Sequence, residues 1–172
     1  GLDRLRETIL TMRFLVVVAG SWGTAFTRVL LERGHDVVLA CRSRAQAEAI
    51  VTTGWNPRYL QGVDLSAAEA VALADAPGDV DVVVAAVPSQ AFAEVVEALP
   101  GEAPVLSLAK GLDPETGERL STRVRGRPVA VLSGPNMAEE IAEGLPTAAV
   151  IASEDGFLAG RLQHALNSSL FR

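Results

Sequence analysis

Gly20-Ser21-Trp22-Gly23 follows directly on the apolar run Phe14–Ala19 and leads straight into a helical pattern. Glycines at such a turn let backbone N–H groups approach an anion, and the helix N-terminus behind them favours negative charge. The ligand chemistry this suits is a pyrophosphate, held as in a dinucleotide-binding βαβ unit. The pattern is incomplete. A full G-x-G-x-x-G would need glycine at 18, 20 and 23, and position 18 is Val18. The alternative is an ordinary buried strand-to-helix turn whose glycines only permit close packing.

Further candidates lie at the ends of other apolar runs. Arg42-Ser43-Arg44 follows Asp36–Cys41, where an acid would meet a ribose 2′-OH and an arginine a 2′-phosphate. A guanidinium is matched to bidentate phosphate contacts, so this ending favours NADP(H) over NAD(H) unless the pair is merely solvated surface. Lys110 is the only lysine among fifteen basic residues, and it sits between the apolar Val105–Leu108 and Gly111. A compact ammonium there can reach a bound ligand; chance retention on the surface is the other reading. Ser133-Gly134-Pro135-Asn136-Met137-Ala138 is a second strand-to-helix turn. Its N–H groups and Asn136 can hold a phosphate or polyol, or Asn136 can simply cap the helix. Glu139 and Glu140 follow in the first helical turn and read as dipole partners, not as a catalytic carboxylate pair.

These positions have to be carried by regular elements. Strands are expected over Arg13–Val18, Asp36–Cys41, Asp81–Val87, Pro104–Leu108, Val129–Leu132 and Thr147–Ala152. Helices are expected over Ser21–Arg33, Arg44–Val51, Ser89 to about Leu99, Thr116–Arg125, Asn136–Glu143 and Asp155–Asn167. The loop Gly54–Leu65 leads to one more expected helix, Ser66 to about Ala74, on the capping-box pattern of Ser66 and Glu69. Near-continuous apolar strands imply burial on both faces, so the fold class is α/β, a Rossmann-like doubly wound, mainly parallel sheet. Ligands of such sheets bind beyond the C-terminal strand ends, where all the candidate segments fall.

At 172 residues the chain is long enough for one domain with a substantial core. Residues 1–12 read as an N-terminal extension or expression remnant, with Met12 a candidate natural start, ahead of one domain over residues 13–172. Hydrophobic residues at 49% and charged ones at 21% exclude disorder, and a net charge of −6 offers no footprint for nucleic acid. No apolar run is long enough to span a membrane, and no signal-peptide pattern is present. The single cysteine, Cys41, excludes an internal disulfide, fits a cytoplasmic location and reads as core packing. His35 and His164 are too far apart to suggest a metal site, and surface roles are expected for both.

Taken together, these residues resemble the N-terminal domain of bacterial-type NAD(P)-dependent glycerol-3-phosphate dehydrogenase. The resemblance runs from about Arg13 to Arg172. It is carried by Ala19–Ala25, Gly34-His35, Asn56 with Tyr59-Leu60, and Val87-Pro88-Ser89. It continues in Ala109–Leu112, Ser133–Pro135 with Ala138 and Glu140, and Gly144–Thr147. It implies reversible hydride transfer between NAD(P)H and dihydroxyacetone phosphate, giving sn-glycerol 3-phosphate for phospholipid synthesis. It also implies cofactor contacts from Gly20, Ser21, Trp22, Gly23, Arg42, Lys110 and Ala138, and substrate contacts from Lys110, Gly134 and Asn136.

The chain departs from the family in two places. The family's general-base lysine belongs to a helical C-terminal domain expected beyond Arg172, so no catalytic residue is expected within this chain and little turnover from it alone. A homodimer is left open. The second departure is Val18, where the family has glycine and where valine tolerates positive φ poorly. Two other readings stay in play: a non-catalytic nucleotide-binding module, and a related β-hydroxyacid or ketopantoate-type reductase domain.

Overall fold

In a computed structural model of the chain, residues 11–172 are described. Residues 1–10, most of the expected extension, lie outside them. The strands are β1 (Arg13–Val17), β2 (Asp36–Cys41), β3 (Glu69–Ala72), β4 (Val82–Ala85), β5 (Val105–Ser107), β6 (Val129–Ser133) and β7 (Val150–Ser153). The helices are α1 (Ser21–Glu32), α2 (Arg44–Thr53), α3 (Ser89–Glu97), α4 (Ala138–Ala142) and α5 (Gly156–Leu166). The strands form one seven-stranded sheet in the order β3-β2-β1-β4-β5-β6-β7. All neighbours are parallel except β6 and β7, which run antiparallel.

The alternation of side chains along each strand explains why the strands read as unbroken apolar runs. Phe14, Val16, Leu39, Val84, Leu106 and Leu132 point to one face, under Phe26 and Leu30 of α1, Ile50 of α2, and Leu158 and Leu162 of α5. Leu15, Val17, Val38, Ala40, Val83 and Val105 point to the other, against Phe92 and Val96 of α3. With both faces covered, a polar residue at any of these positions would be buried without a partner. Cys41 packs in the first of these layers, and burial pushes its thiol up to about 11, in line with a packing role.

Two expected helices do not form. Residues 69–72 pair with β2 in parallel register, Val38 opposite Glu69 through Cys41 opposite Ala72, and a 3₁₀ turn at Leu73–Asp75 follows. The edge of β2 supplies backbone partners that outweigh the alanine-rich helix propensity of this segment. Ser66 is no cap: its N–H and hydroxyl both donate to Asp64 Oδ1, at 2.9 and 2.6 Å, while Glu69 meets Arg13 at 3.4 Å.

Residues 116–125 form a loop with only a 3₁₀ turn at Leu120–Arg123. Here the buried Asp113 carboxylate takes the backbone N–H groups of Glu115 and Thr116, each at 2.9 Å, and both arms of the Arg123 guanidinium at 2.6 and 3.0 Å. Arg123 and these N–H groups hold the carboxyl well below the usual carboxylate range. Such side-chain-to-backbone bonds replace the ladder a helix would need.

His35 is buried, contrary to the expected surface role. Its Nδ1 accepts the Met12 N–H at 3.2 Å and its Nε2 donates to the Ala165 carbonyl at 3.0 Å, tying the start of β1 and the end of α5 to the α1–β2 turn. That pattern requires the neutral ring, and burial lowers its pKa from 6.5. A folded-state pKa below the unfolded one means full stability above pH 6.5 and a loss as the pH falls below it, ending once the folded-state ring is protonated. We therefore predict that urea unfolding of wild type loses more stability between neutral and mildly acidic pH than does His35→Gln. Equal pH slopes for the two proteins would remove His35 from this role.

Candidate nucleotide-binding cleft

β1 and β4 are neighbours, yet the chain leaves β1 toward β2 on one side and returns to β4 on the other. At such a switch point the loops beyond the strand ends part and leave a crevice. A cleft of about 630 Å³ opens there, between Val18–Trp22 and Ala86–Gln90. Arg42 and Ser43 beyond β2, and Leu108–Lys110 beyond β5, complete its walls together with Gln46, Arg58 and Tyr59.

The glycine turn divides its labour. A Cβ on Gly23 would overlap the Val18 carbonyl, lying 3.1 Å from its carbon, so Gly23 lets α1 pack against the end of β1. A Cβ on Gly20 would meet nothing within 4 Å; the fold does not demand glycine there, and its absence of a side chain keeps the cleft mouth open. Gly20 is the N-cap of α1, with no side-chain cap and no acid in the first turn. The first N–H groups of a twelve-residue helix are thus left for an anion. Those features fit a pyrophosphate.

Asn56 holds this turn in place and is fully buried. Its Nδ2 donates to the Ala19 carbonyl and to Thr24 Oγ1, both at 3.0 Å, and its Oδ1 accepts the Arg58 N–H at 3.1 Å. Gln46 of α2 donates to the same Ala19 carbonyl at 2.9 Å and to Asn56 Oδ1 at 3.3 Å. Leu60, just beyond, is the one non-glycine residue in the left-handed region among the described residues.

The charge of the cleft is one-sided. Arg42, Arg58 and Lys110 line it, and no carboxylate among the described residues does, although the whole chain carries −6. Arg44, two residues from Arg42, is instead engaged with Asp75 at 2.8 Å. Lys110 Nζ donates to the Gly134 carbonyl at 3.2 Å, and partial burial lowers its pKa from the ordinary lysine value.

The residues singled out from sequence therefore fall into two groups. Gly20, Ser21, Trp22, Arg42 and Lys110 line one cleft, with Gly23 directly behind it. Gly134, Asn136 and Ala138 lie on the neighbouring turn after β6, reached through the Lys110–Gly134 bond and not as walls of the cleft. Asn136 does not cap α4, whose N-cap is Met137. Its Nδ2 donates to Thr147 Oγ1 at 2.9 Å and to the Ala148 carbonyl at 2.7 Å, which leaves a buried Oδ1 with no donor among the described residues. A Cβ on Gly134 would sit 2.6 Å from the Ala148 carbonyl, so only glycine fits there. Glu139 and Glu140 stand in the first turn of α4, as expected.

Residues 14–159 match the NAD-dependent glycerol-3-phosphate dehydrogenase N-terminus family. The chain belongs to that family. A glycerol-3-phosphate dehydrogenase [NAD(P)+] of Corynebacterium diphtheriae is 43% identical over 173 residues, covering 94% of this chain and 52% of the relative. One from Nocardia farcinica is 42% identical over 176 residues, with 93% and 52% covered. The crystal structure of glycerol-3-phosphate dehydrogenase from Coxiella burnetii superposes with a TM-score of 0.85 at 30% identity, covering 94% of this chain and 53% of that one. A 1-pyrroline-5-carboxylate reductase from Streptococcus pyogenes, at 18% identity and a TM-score of 0.65, shares the fold alone. The chain spans about half the length of the curated relatives it matches.

Within this domain, sequence reasoning passed over Gln46 and Arg58 as site residues. Asn56 and Tyr59 entered it only as matching positions. No periodicity marks Asn56, Arg58 and Tyr59, which sit in an irregular loop where the Asn56-Pro57 turn is the one local signal, and Gln46 is one polar residue in the first turn of α2. Among the described residues, no helix is long and apolar enough to cross a membrane, and no cluster of metal-ligating residues occurs. Asn56→Ala is expected to cost about 2–3 kcal/mol in urea unfolding, since it removes the donor to the buried Thr24 hydroxyl, the acceptor of the Arg58 N–H and one of the two donors to the Ala19 carbonyl. A loss within about 0.5 kcal/mol of zero, the usual range for a surface change, would show that water replaces the amide.

Proposed function

We propose that this chain is the cofactor-binding part of an NADP(H)-dependent glycerol-3-phosphate dehydrogenase of the cytoplasm. Its substrates would be sn-glycerol 3-phosphate and dihydroxyacetone phosphate. The observation that carries this reading is the switch-point cleft with three cationic side chains and no carboxylate. A bound nicotinamide supplies the hydride donor or acceptor. The chain's own part is to bind and orient. The N–H groups of Ser21, Trp22 and Gly23 face the pyrophosphate, while the lack of a Gly20 side chain admits it.

Arg42 takes the 2′-phosphate, for which an acid at the same strand end would be repulsive. Lys110, fixed by the Gly134 carbonyl, stands where cofactor and substrate meet and offsets negative charge on either. Gly134 and Asn136 hold the substrate on the turn after β6, where the Asn136 Oδ1 has no donor among the described residues, and Ala138 closes the same turn toward the cofactor. Lys110 is assigned to binding, and the family resemblance implies that the proton step falls to a lysine outside these 172 residues. A homodimer and the remaining half of the relatives' length would complete the working enzyme.

Calorimetric titration of the purified chain should give NADPH an affinity at least about tenfold above that of NADH, or about 1.4 kcal/mol. The same preparation should oxidise glycerol 3-phosphate negligibly. Tighter binding of NADH would overturn the cofactor assignment, and substantial turnover would overturn the division of labour.

Val18 is the position to test within the turn. Its side chain is buried in the apolar layer under α3, and its carbonyl accepts the Gly20 N–H at 2.8 Å. It does not occupy the left-handed region, so the strain expected from a positive φ is not what valine costs here. Its isopropyl group still borders the cleft. Val18→Gly is expected to tighten NADPH binding at least about fivefold, or about 1 kcal/mol. Equal affinities would mean the valine is accommodated at no cost to the cofactor.

A further inference from the structure

We infer that Arg58 is a second cofactor-selecting residue, closing with Arg42 on the 2′-phosphate of NADP(H). The inference rests on the NADP(H) reading of the cleft proposed above. Both arginines line that cleft, together with Ser43 and Gln46. Neither guanidinium has a hydrogen-bond or ion-pair partner among the described residues. Their state differs from that of nearby arginines held by acids, Arg44 by Asp75 at 2.8 Å and Arg28 by Glu32 at 2.7 Å. With no carboxylate among the described residues of the cleft wall, the like charges of these two unpaired guanidiniums have no acid to offset their repulsion. A phosphate dianion removes that repulsion and gives each planar fork a bidentate acceptor.

The backbone beneath Arg58 is built to hold it there. Its N–H is fixed to Asn56 Oδ1 at 3.1 Å, and Asn56 is anchored to the Ala19 carbonyl at 3.0 Å. Gln46 of α2 donates to both Ala19 and Asn56, at 2.9 and 3.3 Å. Ser43, next to Arg42, caps the same helix by accepting the Gln46 N–H at 3.2 Å. The segments bearing Arg42 and Arg58 are therefore referenced to a common point, the end of β1. An anion between them would find both partners placed before it arrives, which reduces the ordering cost of binding.

The test is a set of calorimetric titrations of the whole chain with NADPH, NADH, 2′,5′-ADP and 5′-AMP. Wild type, Arg58→Gln and Arg42→Gln are compared, with thermal unfolding as a check on folding. Because the Arg58 side chain makes no hydrogen bond or ion pair with another described residue, Arg58→Gln should unfold at the wild-type temperature. It should weaken NADPH and 2′,5′-ADP about tenfold, leave NADH and 5′-AMP within about twofold, and flatten the salt dependence of NADPH binding.

Equal weakening of all four ligands would overturn the inference, because Arg58 would then serve the part common to both cofactors. No change in any ligand would overturn it as well. Failure of the underlying reading looks different. Wild type would then bind 2′,5′-ADP no more tightly than 5′-AMP, and Arg42→Gln would change nothing.

Discussion

The buried carbonyl of Ala19 is the point on which this structure turns. It lies where β1 has ended and α1 has not begun, so neither ladder supplies it with a donor. Left unpaired in the interior it would be costly. Asn56 and Gln46 both donate to it, at 3.0 and 2.9 Å, while the Ala19 N–H is taken by the Ala40 carbonyl of β2. One polar requirement thus joins the glycine turn, the end of β2, the start of α2 and the loop that bears Arg58. Each of those pieces is a wall of the cleft, and none would be placed by apolar packing alone.

Charge is distributed with similar economy. The chain is acidic overall, and several of its arginines are consumed by acids at the periphery, such as Arg13 with Glu69 and Asp79 and Arg123 with Asp113 and Glu115. Exposed pairs of this kind add little stability. Asp113 and Arg123 differ, because the carboxylate is buried and orders the loop that follows Lys110-Gly111. The cationic side chains that line the cleft without an acid partner among the described residues are Arg42, Arg58 and Lys110. A local positive field within a negative molecule directs anionic ligands to one place and does not attract nucleic acid generally.

Strands and long helices were legible wherever one local pattern was unopposed. β1, β2 and β4 showed as apolar runs, and α1 as an amphipathic stretch ending at Gly34. The glycine turn, Arg42 and Lys110 were legible as strand-end residues for the same reason. Residues 69–72 were not, because an alanine-rich segment carries helix propensity in isolation and becomes a strand only beside the free edge of β2. Residues 116–125 were missed because Asp113, three positions before them, takes the N–H groups of Glu115 and Thr116 and the Arg123 guanidinium. His35 looked like a turn residue, and its burial depends on α5, 130 positions away.

The sequence by itself determined the strands and helices other than β3 and the loop over 116–125, the doubly wound class and the strand-end residues that chemistry could use. Periodicity, glycine turns and side-chain charge act within a few residues, so they can be read without coordinates. Only the tertiary structure decided which of those residues share a cleft. It separated Gly134, Asn136 and Ala138 from the cleft wall, brought in Arg58, left the Asn136 Oδ1 without a donor, and made Asn56 a structural hub. The reason is physical: buried polar groups must find partners, and those partners lie far along the chain, where no local pattern reaches them.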